Sequence, residues 1–156
     1  MSPVVGIVLV VALTILLAAT AGSFLLGLSD ETADSSAPTV AFEFDPDLEE
    51  TGHDTATIQH KSGSTVDPEN LYVVVTDASC TGSVDPDGRF KVADDFGHTS
   101  DLAAGMSIEY RNTLPGLGSP LCSGGGNYLQ VSGATFTVLW ESPSGTSREL
   151  VGWTAP

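Results

Sequence analysis

The sequence predicts an α+β chain: a long N-terminal hydrophobic α-helix followed by an all-β globular domain, an antiparallel β-sandwich or barrel. Three observations carry that reading. Residues 1–29 contain no Asp, Glu, Lys, Arg or His, whereas all 20 acids and all 5 bases lie from Asp30 onward. Beyond residue 38, apolar side chains recur at every second position in short runs, the period of a half-buried strand. Between those runs stand clusters of Gly, Pro, Asp and Ser, the residues that tight turns demand. The expected division is a hydrophobic assembly or membrane helix over 1–28, a polar linker over 29–38 (SDETADSSAP before the strands begin) and a β-sandwich head domain over 39–156.

The helix comes first. Pro3 stands where proline suits a helix, in its first turn, because the missing N–H has no intrahelical acceptor there. From residue 7 to 28 the run is rich in Val, Leu, Ile and Ala, with mild interruptions at Thr14, Thr20, Gly22, Ser23 and Gly27. At 1.5 Å per residue a helix from Pro3 to Leu28 would extend about 39 Å, more than the roughly 30 Å of bilayer hydrocarbon. A helix apolar on every side must be covered on every side, by lipid or by protein. Ala12, Ala18, Ala19, Ala21 and Gly22 would let other helices approach closely, and Thr14, Thr20 and Ser23 can bond their hydroxyls back to the helix or across to a neighbour. A secretory signal would be shorter and begin with basic residues. An uncleaved anchor would carry Lys or Arg on its cytoplasmic flank. The expectation is therefore that a charged segment preceding this helix has been removed, with a genuine start at Met1 as the alternative.

The strands follow in order. Val40, Phe42 and Phe44 alternate with Thr39, Ala41 and Glu43; Ala56 and Ile58 alternate with Thr55, Thr57 and Gln59. Residues 71–76 (LYVVVT) are apolar on both faces and predict a central strand. Met106, Ile108 and Tyr110 form another alternating set, as do Phe136, Val138 and Trp140, and residues 150–153 close the chain. Turns are marked at Asp85-Pro86-Asp87-Gly88, Leu114-Pro115-Gly116, Ser123-Gly124-Gly125-Gly126 and Ser142-Pro143-Ser144-Gly145, the last reading as a hairpin loop.

Charge removes several function classes. The formal net charge is −15, and the bases are Lys61, Arg89, Lys91, Arg111 and Arg148. No basic patch exists to neutralise phosphates, so neither nucleic acid nor an anionic lipid surface is an expected partner. Because aromatic and β-branched residues are interleaved with the acids, the composition points to the hydrated acidic surface of a protein adapted to strong salt rather than to a disordered acidic tail. Cys80 and Cys122 could form a disulfide closing a loop of about 43 residues, or remain two buried thiols; their spacing is not that of a zinc site. Neither a catalytic nor a metal site is expected. His53, His60 and His98 lack metal-ligand spacing and are expected to be exposed or at strand edges. The acids at 85–87 and Asp94-Asp95 lack a calcium-loop pattern and suit turns. Ser123-Gly124-Gly125-Gly126-Asn127 lacks the Lys-Ser/Thr of a phosphate loop. No serine sits in a nucleophile elbow.

Ser2-Pro3-Val4-Val5-Gly6, followed by the Val/Leu/Ala-rich stretch that ends Gly22-Ser23-Phe24-Leu25-Leu26-Gly27-Leu28, resembles the N-terminal region of archaeal type IV pilins, haloarchaeal ones in particular. The resemblance is looser beyond residue 28, where residues 138–151 are similar to a strand and hairpin these proteins often carry. Bacterial type IV pilins usually have Glu where Val5 stands here. The resemblance implies that a prepilin peptidase clips a short basic leader, and that the mature helix packs into a filament core through Ser2, Pro3, Val4, Val5, Gly6, Ala12, Ala18, Ala19, Gly22, Phe24 and Leu28. It further implies a homo-polymer, held in the membrane before assembly, extruded by an assembly ATPase on a membrane platform, and used for adhesion at the cell surface. No cofactor and no enzymatic activity are expected. The alternatives are a swimming filament of the archaellin type and a single-span, membrane-anchored binding module.

Overall fold

The computed structural model describes residues 2–34, 36–81 and 86–156, with side chains placed over 2–20, 36–81 and 86–156. It divides into two compact units, Met1–Ser36 and Ala37–Pro156.

The first unit is one helix, α1 (Pro3–Asp34). Pro3 is its first residue, and the Val5 N–H reaches back to the Ser2 carbonyl at 3.1 Å. The helix runs past Leu28 through the polar stretch to Asp34. Nothing in 29–34 stops a helix sterically, whereas Pro38 cannot continue one and disfavours helical backbone in the residue before it.

In the second unit the described residues form β1 (Val40–Asp47), β2 (Thr55–Gly63), β3 (Leu71–Thr76), β4 (Ser79–Cys80), β5 (Gly88–Lys91), β6 (Ser107–Tyr110), β7 (Leu129–Gln130), β8 (Thr135–Glu141) and β9 (Ser147–Thr154), with a 3-10 turn at Pro68–Asn70. They pair into a sheet β1-β2-β6, a sheet β5-β3-β8-β9 and a short pair β4-β7. Every pairing is antiparallel. The run at 71–76 does lie inside its sheet, between β5 and β8. The loop at 142–145 is the β8–β9 hairpin, closed by Gly145 N–H to Ser142 O (2.8 Å) and Ser142 N–H to Thr146 O (2.9 Å), with Gly145 at φ 86°.

The period-two patterns become the two inner faces of a sandwich. Ala56, Ile58, Ile108 and Tyr110 from one sheet and Leu71, Val73, Val75, Phe136 and Val138 from the other are fully buried. Aromatic rings join the layers. Tyr110 of β6 meets Phe136 of β8 edge-on (5.4 Å) and Phe90 of β5 at 5.6 Å, and its hydroxyl donates to the Pro86 carbonyl at 2.9 Å. On the opposite side Phe44 of β1 stacks on Trp153 of β9, 5.1 Å apart and 12° from parallel. Two glycines are required by close approach. A Cβ at Gly63, where φ is 111°, would lie 2.2 Å from the Thr39 carbonyl oxygen, and one at Gly116 would lie 1.8 Å from that of Asp94.

Polar side chains serve the frame. Cys80 and Cys122 are joined in a disulfide, tying β4 to the long loop before β7. Asn112 clamps that loop, accepting from the Cys122 N–H (2.7 Å) and donating to its carbonyl (3.3 Å). Asp54, 5% exposed, accepts from the Glu49 N–H (2.8 Å) and the Val131 N–H (2.9 Å). Asp87 accepts from the Asp77 and Ala78 N–H groups, both at 2.8 Å, where Asp77 adopts φ 61°. The expectation for His60 is corrected: it is fully buried on the inner face of β2, not exposed. The alternation Ala56, Ile58, His60 carries it inward. There its ring packs on Phe42 (5.3 Å), and its nitrogens face the carbonyls of Leu102 (3.2 Å) and Ser62 (3.1 Å).

Candidate assembly surface

The largest apolar surface among the described residues belongs to α1. From Val4 to Leu17 every large side chain is exposed, for example Val4 at 65%, Ile7 at 67%, Val11 at 52% and Leu16 at 66%. These positions go right round the helix, so there is no polar stripe to turn toward water. The stretch Pro3–Thr20 is long and apolar enough to cross a membrane. Its two hydroxyls are consumed within the helix: Thr14 Oγ1 donates to the Val10 carbonyl (2.7 Å) and Thr20 Oγ1 to that of Leu17 (3.0 Å). Of the two options the sequence left for these threonines, the structure adopts the internal one. With both threonine donors engaged, the outer surface of this stretch offers a partner chiefly apolar packing.

Ser2, Pro3, Val4, Val5, Gly6, Ala12, Ala18 and Ala19 all lie on this exposed helix or at its start. Gly6 is informative, because a Cβ added there would meet nothing within 4 Å. The isolated helix gains nothing from a glycine, which costs about 0.5–1 kcal/mol relative to Ala in a helix interior. The expectations for Gly22, Phe24 and Leu28 fall on helical backbone whose side chains lie outside the described residues.

The β unit gathers no reactive constellation among its described residues. His53, His60 and His98 stand in separate places: His53 Nδ1 accepts from the Leu129 N–H (2.9 Å), His60 is in the core, and His98 lines a small depression with Phe96, Ser107, Glu109, Arg111 and Pro115. A shallower hollow of about 310 Å³ is lined by Leu48, Glu49, Glu50, Asp54, Ser79, Gln130 and Ser132. The Asp54 carboxylate there is already engaged by two backbone N–H groups. Among the described residues no three His, Cys, Asp or Glu side chains are placed to share a metal ion. Asp85, one of the acids weighed for calcium, lies outside the described residues.

Four of the five bases are paired with acids. Glu141 on β8 takes a hydrogen bond from Arg89 on β5, which holds its carboxyl below the usual range, with a smaller contribution from Ser147. Arg89 also lies 3.8 Å over the Tyr72 ring. Lys91 bonds Glu69 and lies near Asp94, which raises its pKa. Lys61 pairs with Glu43, and Arg111 with Glu109.

Among the described residues, an apolar helix long enough to cross a membrane and exposed on all sides precedes an acidic β unit of two sheets and a short strand pair. Residues 1–42 match the family model described as archaeal type IV pilin, N-terminal, so the resemblance seen in Ser2-Pro3-Val4-Val5-Gly6 and the stretch after it is shown over that region. No curated protein matches the chain.

Proposed function

We propose that this chain is the structural subunit of an extracellular type IV pilus-like filament that polymerises through α1. The observation that carries the reading is a helix with exposed apolar side chains on every face and internally satisfied hydroxyls, within a region matching the archaeal pilin N-terminus. Water cannot be its final surroundings: each large side chain left exposed forfeits about 1.5–3 kcal/mol. Before assembly a bilayer covers it. Moving from lipid to a bundle of identical helices brings little further hydrophobic gain, because lipid is as apolar as leucine. The bundle must instead win by close packing, which Gly6, Ala12, Ala18 and Ala19 permit. Repeating one head-to-tail contact whose rotation does not close yields a helical polymer.

In this reading the β unit meets the environment and carries adhesion. A prepilin peptidase, an assembly ATPase and a membrane platform supply processing and extrusion. Electron microscopy of material sheared from cells tests the proposal: the wild-type chain yields thin filaments containing this protein. Ala18→Leu reduces or abolishes them while circular dichroism of the detergent-held chain still shows a folded β unit. A chain that remains singly dispersed in the membrane, with nothing to shear, would sink the proposal in favour of a single-span anchor.

A further inference from the structure

The apolar side chains that the β unit leaves incompletely covered are not scattered. Six of the ten partly buried hydrophobic residues packed against the core lie on two strands, namely Val40, Phe42 and Phe44 on β1 and Leu150, Val151 and Trp153 on β9. Each strand is the edge of its sheet, and the two edges meet through the Phe44–Trp153 stack. The other side of the sandwich is closed by fully buried Tyr110 against Phe90. So the layers are closed by buried rings at β5/β6 and by half-covered rings at β1/β9, where two backbone edges and a partly exposed aromatic strip coincide. Open edges of this kind recruit further protein unless something blunts them.

Charge says what kind of protein. Arg148, on β9 opposite Trp140, is exposed, and among the described residues its side chain has no ion pair or hydrogen bond, whereas Lys61, Arg89, Lys91 and Arg111 each hold a carboxylate. In a chain with 20 acids and 5 bases, a base left without an acid at the rim of an apolar strip is conspicuous. The partner must bring an apolar patch and a carboxylate, and a second copy of this chain brings both.

Chain length supports the same occupant. Residues 35–39 alone separate the end of α1 from the start of β1, a stretch that spans no more than about 20 Å fully extended. Wherever the last turn of α1 is held, the start of β1 lies within that covalent reach of it.

We infer that the β1/β9 edge, with Arg148 at its rim, is the lateral docking surface for the next copy of this chain in the filament. The inference rests on the filament reading above and adds the face of the β unit that the neighbour covers. The contact is head-to-tail, so the neighbour offers a different surface, including the carboxylate that meets Arg148.

The experiment compares wild-type filaments with two variants of equal charge change, Arg148→Gln at the rim and Ser100→Asp at an exposed position elsewhere. Arg148→Gln filaments are expected to dissociate at a lower temperature than wild type, Ser100→Asp filaments at the wild-type temperature, and Arg148→Lys to recover most of the loss. All three should melt like wild type as detergent-held monomers. Hydrogen exchange over β1 and β9 should slow on going from monomer to filament. Equal dissociation temperatures for Arg148→Gln and wild type, or equal exchange of both strands in monomer and filament, would overturn the docking surface while leaving the filament intact. A wild-type chain that forms no filament takes both proposals down together.

Discussion

At the scale of single residues, His60 shows what periodicity can and cannot reveal. Its place in the alternation Ala56, Ile58, His60 already aimed it inward, yet nothing local announced the two carbonyls, Leu102 and Ser62, that make burial tolerable. One is 42 positions away. Replacing His60 with Leu removes the ring's hydrogen bonding to these carbonyls, although that of Leu102 keeps the Val66 N–H, so the expected cost is that of a lost hydrogen bond, about 0.5–1.5 kcal/mol. A loss of that order should appear in urea unfolding of the detergent-held chain. Tyr110 is a gentler case. Tyr110→Phe keeps the ring contacts with Phe90 and Phe136 but removes the donor to the Pro86 carbonyl, for an expected loss of about 1 kcal/mol. The Arg89–Glu141 pair predicts a direction in pH. Because the folded state holds the Glu141 carboxyl below its ordinary value, the pair contributes at neutral pH and loses its contribution as pH falls through that lowered value. Arg89→Gln should therefore flatten the acid side of a stability-against-pH curve. Since both partners face solvent, salt should weaken the effect. Lys91 behaves in the opposite sense: its pKa is raised, so its contribution is present at neutral pH and disappears only at strongly alkaline pH.

At the scale of elements, long alternating runs were legible and short pairings were not. β1, β2, β3, β6, β8 and β9 all stand where period-two patterns or a continuous apolar run predicted them. β4 and β7 are two residues each, too short to show any period, and exist because Ser79 pairs Gln130 and Cys80 pairs Leu129. β5 carries one inward apolar residue, Phe90, between Arg89 and Lys91, so its pattern is lost among charges. Its pairing with β3 decides its fate. The disulfide bears on the weakest of these elements. Closing a loop of about 43 residues is worth roughly 4 kcal/mol in the chain-entropy model. Reduction, or Cys122→Ser with Cys80→Ser, should lower the melting temperature. It should release β4 and β7 first in hydrogen exchange, because they have the fewest ladder bonds of their own.

At the scale of the whole molecule, the partition into an uncharged head and a strongly acidic remainder was plain in the distribution of charge, and so was the fold class. The strand order within each sheet was not, because it depends on which runs meet across long loops. The two sheet orders interleave β6 with β1 and β2, and β5 with β3 and β8. The net charge of −15 makes a global prediction. With few cations to screen the acids from one another, raising salt from tens of millimolar to molar should raise the melting temperature of the β unit substantially. A flat response would count against adaptation to strong salt. The disulfide also fixes sidedness. Cys80 and Cys122 both lie C-terminal to α1, so a bond between them is made only where an oxidant reaches. If α1 crosses the bilayer once, Ser2 then points back toward the reducing cytoplasm. On the proposed filament reading, the half-cystines would act as a vectorial stamp, placing this end of the chain on the oxidising side of the membrane.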